Sequence, residues 1–400
     1  MNPTAPSVAA LVLLLTTGAA CQELDKVASN FDAALWLSPP GGVIPPTGNG
    51  ESAFRFICNH AKFAPDDPIV YPAQPGASHL HEFFGNDAID ASSTYASLRS
   101  SGHGTCHGGP LNRSGYWIPA LLDGQGNAIK ASAVSIYYKT PPASGTTFTE
   151  LPRGLRFITG WNMTAAEGAP QPNRANWGFL INGKFINAQP LPKSITEALT
   201  KLTEPLQFTI RDSTRPGWSP FSVEATLTMQ LSSPNCWDGV NLDSADHRSH
   251  MSFKVANESN NWINQCPPTH PREIPQFTFI PFWHIHPGDD VTKWRLSSDM
   301  GSQLPGTSMH ADWFGAWDDD IKKRWTDNCL RGNRSVSEGN LCDGQGLKRA
   351  PEFRLWFFAG EAKVPIAVPP GEPPVVPPVV PPVVPPDRHD RGKHKGHDKR

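Results

Sequence analysis

Residues Gln276–His284, QFTFIPFWH, form a run in which aromatic and β-branched side chains predominate. Such residues favour extended strands, and the run lies between Pro- and Gly-containing turn signals. Similar runs recur along the chain: 53–58, Ala133–Lys139, Leu155–Gly160, Trp177–Ile181, Leu206–Arg211, Ser222–Leu231 and Met251–Val255. Many short strands at this spacing predict a mainly β fold, a distorted β-sandwich or barrel-like core with long loops.

Helices are few in this pattern. Ser194–Leu202 is one candidate, and Asp318–Asn328 is the stronger one. In the second, Ile321 and Trp325 are four residues apart and acidic residues occupy the first turn, where they favour a helix. The sequence therefore predicts one or two short helices.

The composition narrows the class of protein. The formal net charge of −2 over 400 residues gives no overall attraction to nucleic acid or to an anionic membrane surface. With 42 prolines, 34 glycines and 13 tryptophans, the chain is more typical of a loop-rich β protein than of a helical one. We expect it to be a monomer that does not bind nucleic acid.

The N-terminus predicts export. Residues 8–20, VAALVLLLTTGAA, are an apolar run ending in small residues, as in a signal peptide over residues 1–20. Cys21 follows directly, and TGAAC resembles a lipoprotein cleavage site with lipid on Cys21, the only membrane attachment that we expect. The first residues carry no Lys or Arg, and Gly18 stands where such sites prefer Leu, so simple cleavage after Ala20 is the alternative.

The cysteines agree with an exported protein at the cell surface or outside the cell. If Cys21 is lipidated, an even number remains for disulfide bonds. We predict pairing between sequence neighbours, because each pair closes a modest loop: Cys58 with Cys106, Cys236 with Cys266, and Cys329 with Cys342.

Composition also indicates the domain organisation. We predict an N-terminal linker over residues 21–51, a single folded domain over 52–362, and a Pro/Val-rich spacer over 363–386. Repeated Pro-Pro-Val-Val units favour an extended polyproline II conformation. Residues 387–400 are polar, basic and rich in histidine, and predict a disordered tail.

One polar loop concentrates titratable groups. The stretch Cys236–His250, CWDGVNLDSADHRSH, contains Asp243, Asp246, His247 and His250. Imidazoles three apart with carboxylates before them suit metal ligands or an acid/base pair. The alternative is a solvated loop fixed by the disulfide at Cys236.

Two further segments carry closely spaced polar groups. His79 and His81 alternate with Leu80, so in an extended segment both imidazoles project from one face and could bind one metal ion. His310 and Asp312 have the same spacing with a carboxylate as the second group. Hydrogen-bonded structural pairs are the alternative.

We hypothesise that these three segments converge on one cleft that holds a divalent metal. The metal ligands would be His79, His81, His250 and His310; Asp243, Asp246, His247 and Asp312 would act in proton transfer. Trp117, Trp237 and Trp313 lie in or near the polar loops and could stack on a sugar ring, although such rings also serve as core residues. The chain contains no G-x-S-x-G motif, phosphate loop or dinucleotide fingerprint.

Five segments together resemble the DUF1996 family, a domain of unknown function found in secreted fungal and bacterial proteins. They occur in the family's order and span nearly all of residues 52–345: 67–85, 105–123, 236–253, 266–276 and 308–329. Relatives often carry carbohydrate-binding or wall-associated modules, so the resemblance implies a polysaccharide or cell-wall glycan as partner.

The sequence thus leaves two classes of function open. The first is an exported, surface-attached hydrolase that acts on polysaccharide through paired carboxylates or a metal-bound water. The second is a non-catalytic protein that binds a glycan or wall component through the same cleft. We favour the enzyme, since a binding module rarely needs so many titratable groups.

Overall fold

The computed structural model describes most of the predicted domain. The described residues are 23–47, 52–140, 147–166, 169–171, 173–181, 184–186, 190–202, 225–256, 263–286, 288–301, 303–336, 338–349 and 362–366. The predicted signal peptide, Cys21, the strand predicted at Leu206–Arg211 and the basic tail lie outside them. So does the predicted spacer beyond residue 366.

The described residues are mainly β, as predicted. In chain order the strands are β1 Ser52–Cys58, β2 His60–Ala64, β3 His81–Gly85, β4 Gly115–Pro119, β5 Leu121–Leu122, β6 Asn127–Ile129, β7 Ala133–Thr140, β8 Arg156–Gly160, β9 Asn176–Ile181, β10 Lys184–Ile186, β11 Ala225–Ser232, β12 Cys236–Trp237, β13 Met251–Ser252, β14 Val255–Ala256, β15 Ile263–Gln265, β16 Arg272–Glu273, β17 Gln276–His284, β18 Arg295–Leu296, β19 His310–Phe314, β20 Ser335–Val336 and β21 Lys363–Pro365. The strand predicted at Met251–Val255 is divided into two short ones, β13 and β14.

Helices are short in the described part of the chain. They are α1 Tyr95–Ser100, α2 Ile195–Thr200 and α3 Asp319–Arg324, with 3-10 turns at Ala33–Trp36, Gly109–Leu111 and Val291–Lys293. The helices α2 and α3 confirm the two predicted ones, and α3 continues as a π-helical turn, Trp325–Leu330. The helix α1 was not predicted; it begins after a capping box formed by Thr94 and Ser97. No helix among the described residues is long and apolar enough to cross a membrane.

Two sheets form the core. One has seven strands in the order β10-β9-β11-β17-β7-β1-β20, and the other has five in the order β2-β3-β4-β19-β8. Their facing side chains interdigitate: Tyr116 of β4 stacks on Phe277 of β17, with ring centroids 5.8 Å apart. Phe84 of β3 meets Phe279 of β17 at the same centroid distance. This arrangement confirms the predicted mainly β fold, a distorted sandwich or barrel-like core with few short helices.

The outer face of the five-stranded sheet is also covered. Alternation along β3, β4 and β19 turns Phe83, Trp117 and Phe314 away from the main core. There they form a second apolar cluster with Tyr95 and Leu98 of α1. At one end of this outer face, polar side chains replace the apolar ones.

The predicted disulfide pairing is confirmed, with bonds Cys58–Cys106, Cys236–Cys266 and Cys329–Cys342. The second of these anchors the polar loop that begins at Cys236.

Segments outside the predicted domain limits pack on the domain at both ends. The described part of the predicted N-terminal linker, residues 23–47, packs on the domain, with the Trp36 ring against Gly109. Lys363–Pro365, predicted as the start of the spacer, pairs instead with β6 as strand β21. Linker-like composition does not prevent a segment from packing when an apolar anchor or a free sheet edge is available.

Candidate metal centre

Two histidines lie in one row across the five-stranded sheet. His81, the first residue of β3, is the cross-strand partner of Pro119 on β4. Asp312 on β19 is the partner of Trp117, and continuing that register by two residues places His310 beside Pro119 as well. Directly opposed residues project from the same face of a sheet. The two imidazoles therefore stand on either side of Pro119, on the outer face.

Gly160 makes room on the far side of His310. It is the cross-strand partner of His310 on β8 and has a φ of +92°. A Cβ at this position would lie 2.8 Å from the Cα of His310, closer than real Cβ atoms approach. Only glycine fits this position without strain.

His79 completes the cluster from the loop between β2 and β3. Its ring centroid lies 4.1 Å from that of His81 and 5.1 Å from that of His310. The three residues each offer one nitrogen, and these nitrogens all lie within 4.8 Å of one another. His81 and His310 are buried and His79 is half-buried. The predicted convergence of the His79/His81 and His310 segments is therefore present in the structure.

Backbone carbonyls fix the orientation of two of the rings. The Nδ1–H of His81 donates to the carbonyl oxygen of Asp66 at 2.9 Å. The Nδ1–H of His310 donates to the carbonyl oxygen of Ser308, also at 2.9 Å. This tautomer leaves Nε2 with a free lone pair, and it is the arrangement that metal-binding histidines usually show. Within the described residues, Nε2 of His79 and Nε2 of His81 are buried and have no hydrogen-bond partner.

The three imidazoles are held neutral. Burial, together with the neighbouring His81, lowers the pKa of His310 to about 3. Burial also lowers the pKa of His81, and it lowers that of His79 well below its ordinary value, with added effects from His81 and His310. A neutral imidazole is the form that binds a metal ion.

Asp312 lies beside the cluster. Its side chain is fully buried, and its Oδ2 is 3.8 Å from Nε2 of His310. Neither carboxylate oxygen has a hydrogen-bond partner among the described residues. Burial, then the nearby Asp67, raises the pKa of Asp312 well above its ordinary value, while Arg248 opposes that shift. A buried carboxyl without a partner is costly unless a ligand or an ion satisfies it.

Asp67 is the second carboxylate of this region. It is buried, and its Oδ1 accepts hydrogen bonds from the backbone N–H groups of Ile69 and Val70 at 2.8 and 2.9 Å. It interacts electrostatically with both His81 and Asp312. The Asp67 carboxyl group therefore lies close enough to the three histidines to influence the electrostatics of the cluster.

The donor set fits a borderline transition-metal ion. Three imidazole nitrogens are the protein ligands of many catalytic zinc sites, with a fourth position left open. Tetrahedral bonds of about 2.0–2.1 Å would bring the nitrogens to roughly 3.4 Å from one another. The nitrogens now lie within 4.8 Å of one another, so binding an ion would need the imidazoles to move closer together. Calcium and magnesium prefer oxygen ligands and fit less well.

The polar loop contributes differently from the prediction. His247 donates from Nδ1 to Oδ1 of Asp243 at 2.9 Å, and Oδ2 of Asp243 accepts from Arg156 at the same distance. Oδ1 of Asp246 accepts from Ser249, through both backbone and hydroxyl, in a tight turn. These groups brace the loop, so the structure does not bring Asp243, Asp246 or His247 into the histidine cluster.

His250 is also outside the cluster, contrary to its predicted role as a metal ligand. Its Nδ1 is 2.8 Å from the Ser244 hydroxyl, and its Nε2 is 2.9 Å from the carbonyl oxygen of Arg156. Both ring nitrogens are thus engaged in joining the loop to β8.

The three tryptophans predicted to bind sugar are buried. Trp117 stacks on Phe83 in the outer cluster, with centroids 5.5 Å apart, and Trp313 lies in the main core. Trp237 is 2% exposed and donates from Nε1 to the carbonyl oxygen of Asn241. None of the three presents a ring face to solvent, so the prediction of a stacking surface at these residues is wrong.

Arg248 links the polar loop to the centre, a role that the sequence did not predict. Arg248 directly follows His247 in the polar loop, and its guanidinium interacts electrostatically with both His310 and Asp312. The polar loop therefore reaches the centre through an arginine and not through its acids or histidines. In the sequence, Arg248 directly follows His247, and Asp67 is the first residue of the segment 67–85; these were the only signals.

A comparison with family models places this centre in a known domain. The model described as "Domain of unknown function (DUF1996)" matches residues 67–317, more than half of the chain. The chain belongs to the DUF1996 family. The match begins at Asp67 and encloses every residue of the centre, from His79 to Asp312. None of the curated proteins and none of the solved structures compared matches the chain.

Proposed function

We propose that this DUF1996 protein is a metal-dependent hydrolase whose divalent ion is bound by His79, His81 and His310. The observation that supports this most strongly is the cluster of three neutral imidazoles, two of them oriented by backbone carbonyls. A purely structural cluster would satisfy its buried nitrogens with protein partners. Here two Nε2 atoms and the Asp312 carboxyl have none among the described residues.

The ion would act as a Lewis acid that makes water a stronger nucleophile near neutral pH. The chain's own residues then have separate tasks. The imidazoles would hold the ion without adding charge. The charge of the ion would favour the ionised form of Asp312, 3.8 Å from the His310 nitrogen, which could then accept the proton that the attacking water loses. The buried outer face of the sheet excludes bulk water, which strengthens the electrostatic interactions there.

Hydrolysis by a pair of carboxylates is the less favoured mechanism. A glycosidase of that kind needs two free carboxyl groups about 5–10 Å apart. Asp243 and Asp246 are bound within their loop, and hydrogen bonds lower the pKa of each carboxyl. Asp312 lies beside imidazoles, and the second carboxylate of this region, Asp67, is engaged by the backbone N–H groups of Ile69 and Val70.

We further propose that the enzyme is exported and acts on a polysaccharide. Three disulfide bonds are compatible with an oxidising compartment outside the cytoplasm. The substrate class rests on the family resemblance, and attachment to the surface rests on the sequence around Cys21.

The direct experiment is a screen of the purified protein against a panel of polysaccharides, with zinc and with a chelator. We expect release of reducing ends from at least one polysaccharide, loss of that activity in chelator, and recovery on adding zinc. The His81→Ala and His310→Ala variants should be inactive but folded. His103→Ala, which changes an exposed histidine, is the matched control. Activity that survives complete removal of metal would contradict the proposal.

A further inference from the structure

The Arg248 guanidinium is fixed against the strand that borders the metal centre. One terminal nitrogen, Nη1, donates to the carbonyl oxygens of Ile158 and Gly160 at 3.4 and 3.2 Å. In the sheet register, Ile158 is the partner of Asp312 and Gly160 is the partner of His310. The guanidinium therefore sits at the edge of β8, one strand away from both residues.

The backbone beside Arg248 is strained. His247 has a φ of +57°, in the left-handed region that non-glycine residues rarely adopt. The conformation is held from both sides: the carbonyl oxygen of His247 accepts from Ile158 at 3.1 Å, and its ring is bound to Asp243. Strain that the surrounding structure maintains is typical of functional sites. Its effect here is to direct Arg248 toward β8.

Hydrogen-bonding capacity remains on the guanidinium. Arginine has five N–H groups. Besides the bonds from Nη1, the described residues show one from Nη2 to the carbonyl oxygen of Trp161 at 2.8 Å. At least two N–H groups are left for a ligand. Asp312 does not take them, because neither of its oxygens has a hydrogen-bond partner in the described part of the chain.

The proposed ion and the guanidinium beside it would each attract an anion locally. A divalent ion on three neutral imidazoles would bring two positive charges to the centre, and Arg248 carries a third. Carboxylates also lie close by, Asp66 and Asp67 near His81 and Asp246 and Asp312 near Arg248, so the attraction comes from the open ligand position and the free N–H groups and not from a net positive charge. Arginine is well suited to bind an oxyanion.

We propose that the metal centre binds an oxyanion of its substrate, a carboxylate, sulfate or phosphate group, with Arg248 donating hydrogen bonds to it. This inference rests on the proposed metal-dependent hydrolase and narrows its substrate to an anionic polysaccharide. Arg248 is an anion-binding residue in this account, and the remainder of the polar loop serves to position it.

Anion binding to the cobalt-loaded protein tests the proposal. Cobalt(II) occupies zinc-type sites, and its visible absorption reports changes at the ion. We would titrate the cobalt form with acetate, sulfate and inorganic phosphate in the wild type, Arg248→Gln and Arg248→Lys. Arg174→Gln is the control, since Arg174 lies nearby over the Trp161 ring, 5.6 Å from its centroid.

We expect at least one anion to change the wild-type spectrum saturably. Arg248→Gln should weaken that binding by about tenfold or more, the loss expected for a charge-assisted hydrogen bond, while Arg248→Lys keeps part of it. Arg174→Gln should match the wild type. Two results would overturn this inference without contradicting the proposed metal centre: cobalt binding with no response to any anion, or an equal anion affinity in Arg248→Gln and the wild type. Failure to bind cobalt or zinc at all would remove the metal centre and this inference with it.

Discussion

His81 and His310 lie two strands apart in one sheet, each beside Pro119, with their ring centroids 5.9 Å apart. In sequence they are separated by more than half of the chain. The antiparallel pairing of β3 with β4 and of β4 with β19 brings their first residues to the same end of the sheet. The fold itself therefore builds two thirds of the proposed metal centre, and the loop that carries His79 adds the rest.

Replacing Asp312 should separate catalysis from metal binding. Because Asp312 lies beside the histidine cluster without belonging to it, we expect Asp312→Asn to retain zinc. Its rate of polysaccharide hydrolysis should fall by about 10²–10⁴-fold, the usual contribution of a general base. Asp320→Asn, which changes a carboxyl with 83% side-chain exposure, is the control. Full activity in Asp312→Asn would exclude this role.

Acid should destabilise the fold through buried histidines. Burial, aided by His286, lowers the pKa of His284 from 6.5 to about 3 in the folded protein. Above pH 6.5 the His284 imidazole is neutral in both the folded and the unfolded protein, so it has no effect on the pH dependence of stability. Below it, the unfolded chain binds a proton that the folded protein does not, and the free energy of unfolding falls by up to about 1.4 kcal/mol per pH unit toward pH 3.

Urea unfolding of the metal-free protein between pH 7 and pH 4 measures this dependence. The slope should be shallower in His284→Gln and unchanged in His103→Gln, where the histidine is exposed. Equal slopes in the wild type and His284→Gln would show that His284 is protonated in the fold.

The N-terminal segment should contribute to stability. The Trp36 ring packs over Gly109, and a Cβ added there would lie 2.4 Å from it. We expect Trp36→Ala to lower the free energy of unfolding by about 1–3 kcal/mol, less than for a fully buried tryptophan. Leu35→Ala, at a side chain that is 66% exposed, is the control and should change little. If both variants unfolded like the wild type, the segment would be the linker that its composition predicts.

The C-terminal boundary of the domain should lie just after β21. Lys363 forms ion pairs with Asp289 at 2.7 Å and with Asp123 at 3.6 Å, and both carboxylates are buried. Lys363→Ala leaves them without this cation and should lower stability by about 1–3 kcal/mol.

Melting temperatures check this boundary. Lys293→Ala, at an exposed lysine, should have no effect, and deletion of residues 367–400 should leave the melting temperature unchanged. A melting temperature several degrees lower after that deletion would show that the domain extends beyond residue 366.

Much of the fold followed from residue patterns. Alternating and aromatic runs located β7, β9 and β17, because burial between two layers selects such residues regardless of the neighbours in sequence. The helix α1 escaped prediction since its six residues, YASLRS, are too few to show a period. Its stability comes from the capping box and from packing on the outer sheet face.

The candidate site was predicted in part. The alternation of His79 with His81 and of His310 with Asp312 indicated which side chains share a face, since that depends only on strand geometry. The polar loop was misinterpreted because its turn at His247 has a positive φ, which reverses the directions expected from spacing. Asp243 and His247 consequently bind each other, and the Arg248 guanidinium lies at the edge of β8. Exposure of the tryptophans likewise depends on tertiary packing that spacing does not encode.

The most direct test of the central claim is a calorimetric titration of the purified, metal-free protein with zinc. We predict one ion per chain in the wild type and in His103→Ala. Affinity should fall by at least about 100-fold in His81→Ala and in His310→Ala, each of which loses one of three ligands. Circular dichroism should show both variants folded. Absence of zinc binding by the wild type, or unchanged affinity in folded His81→Ala and His310→Ala, would contradict the account.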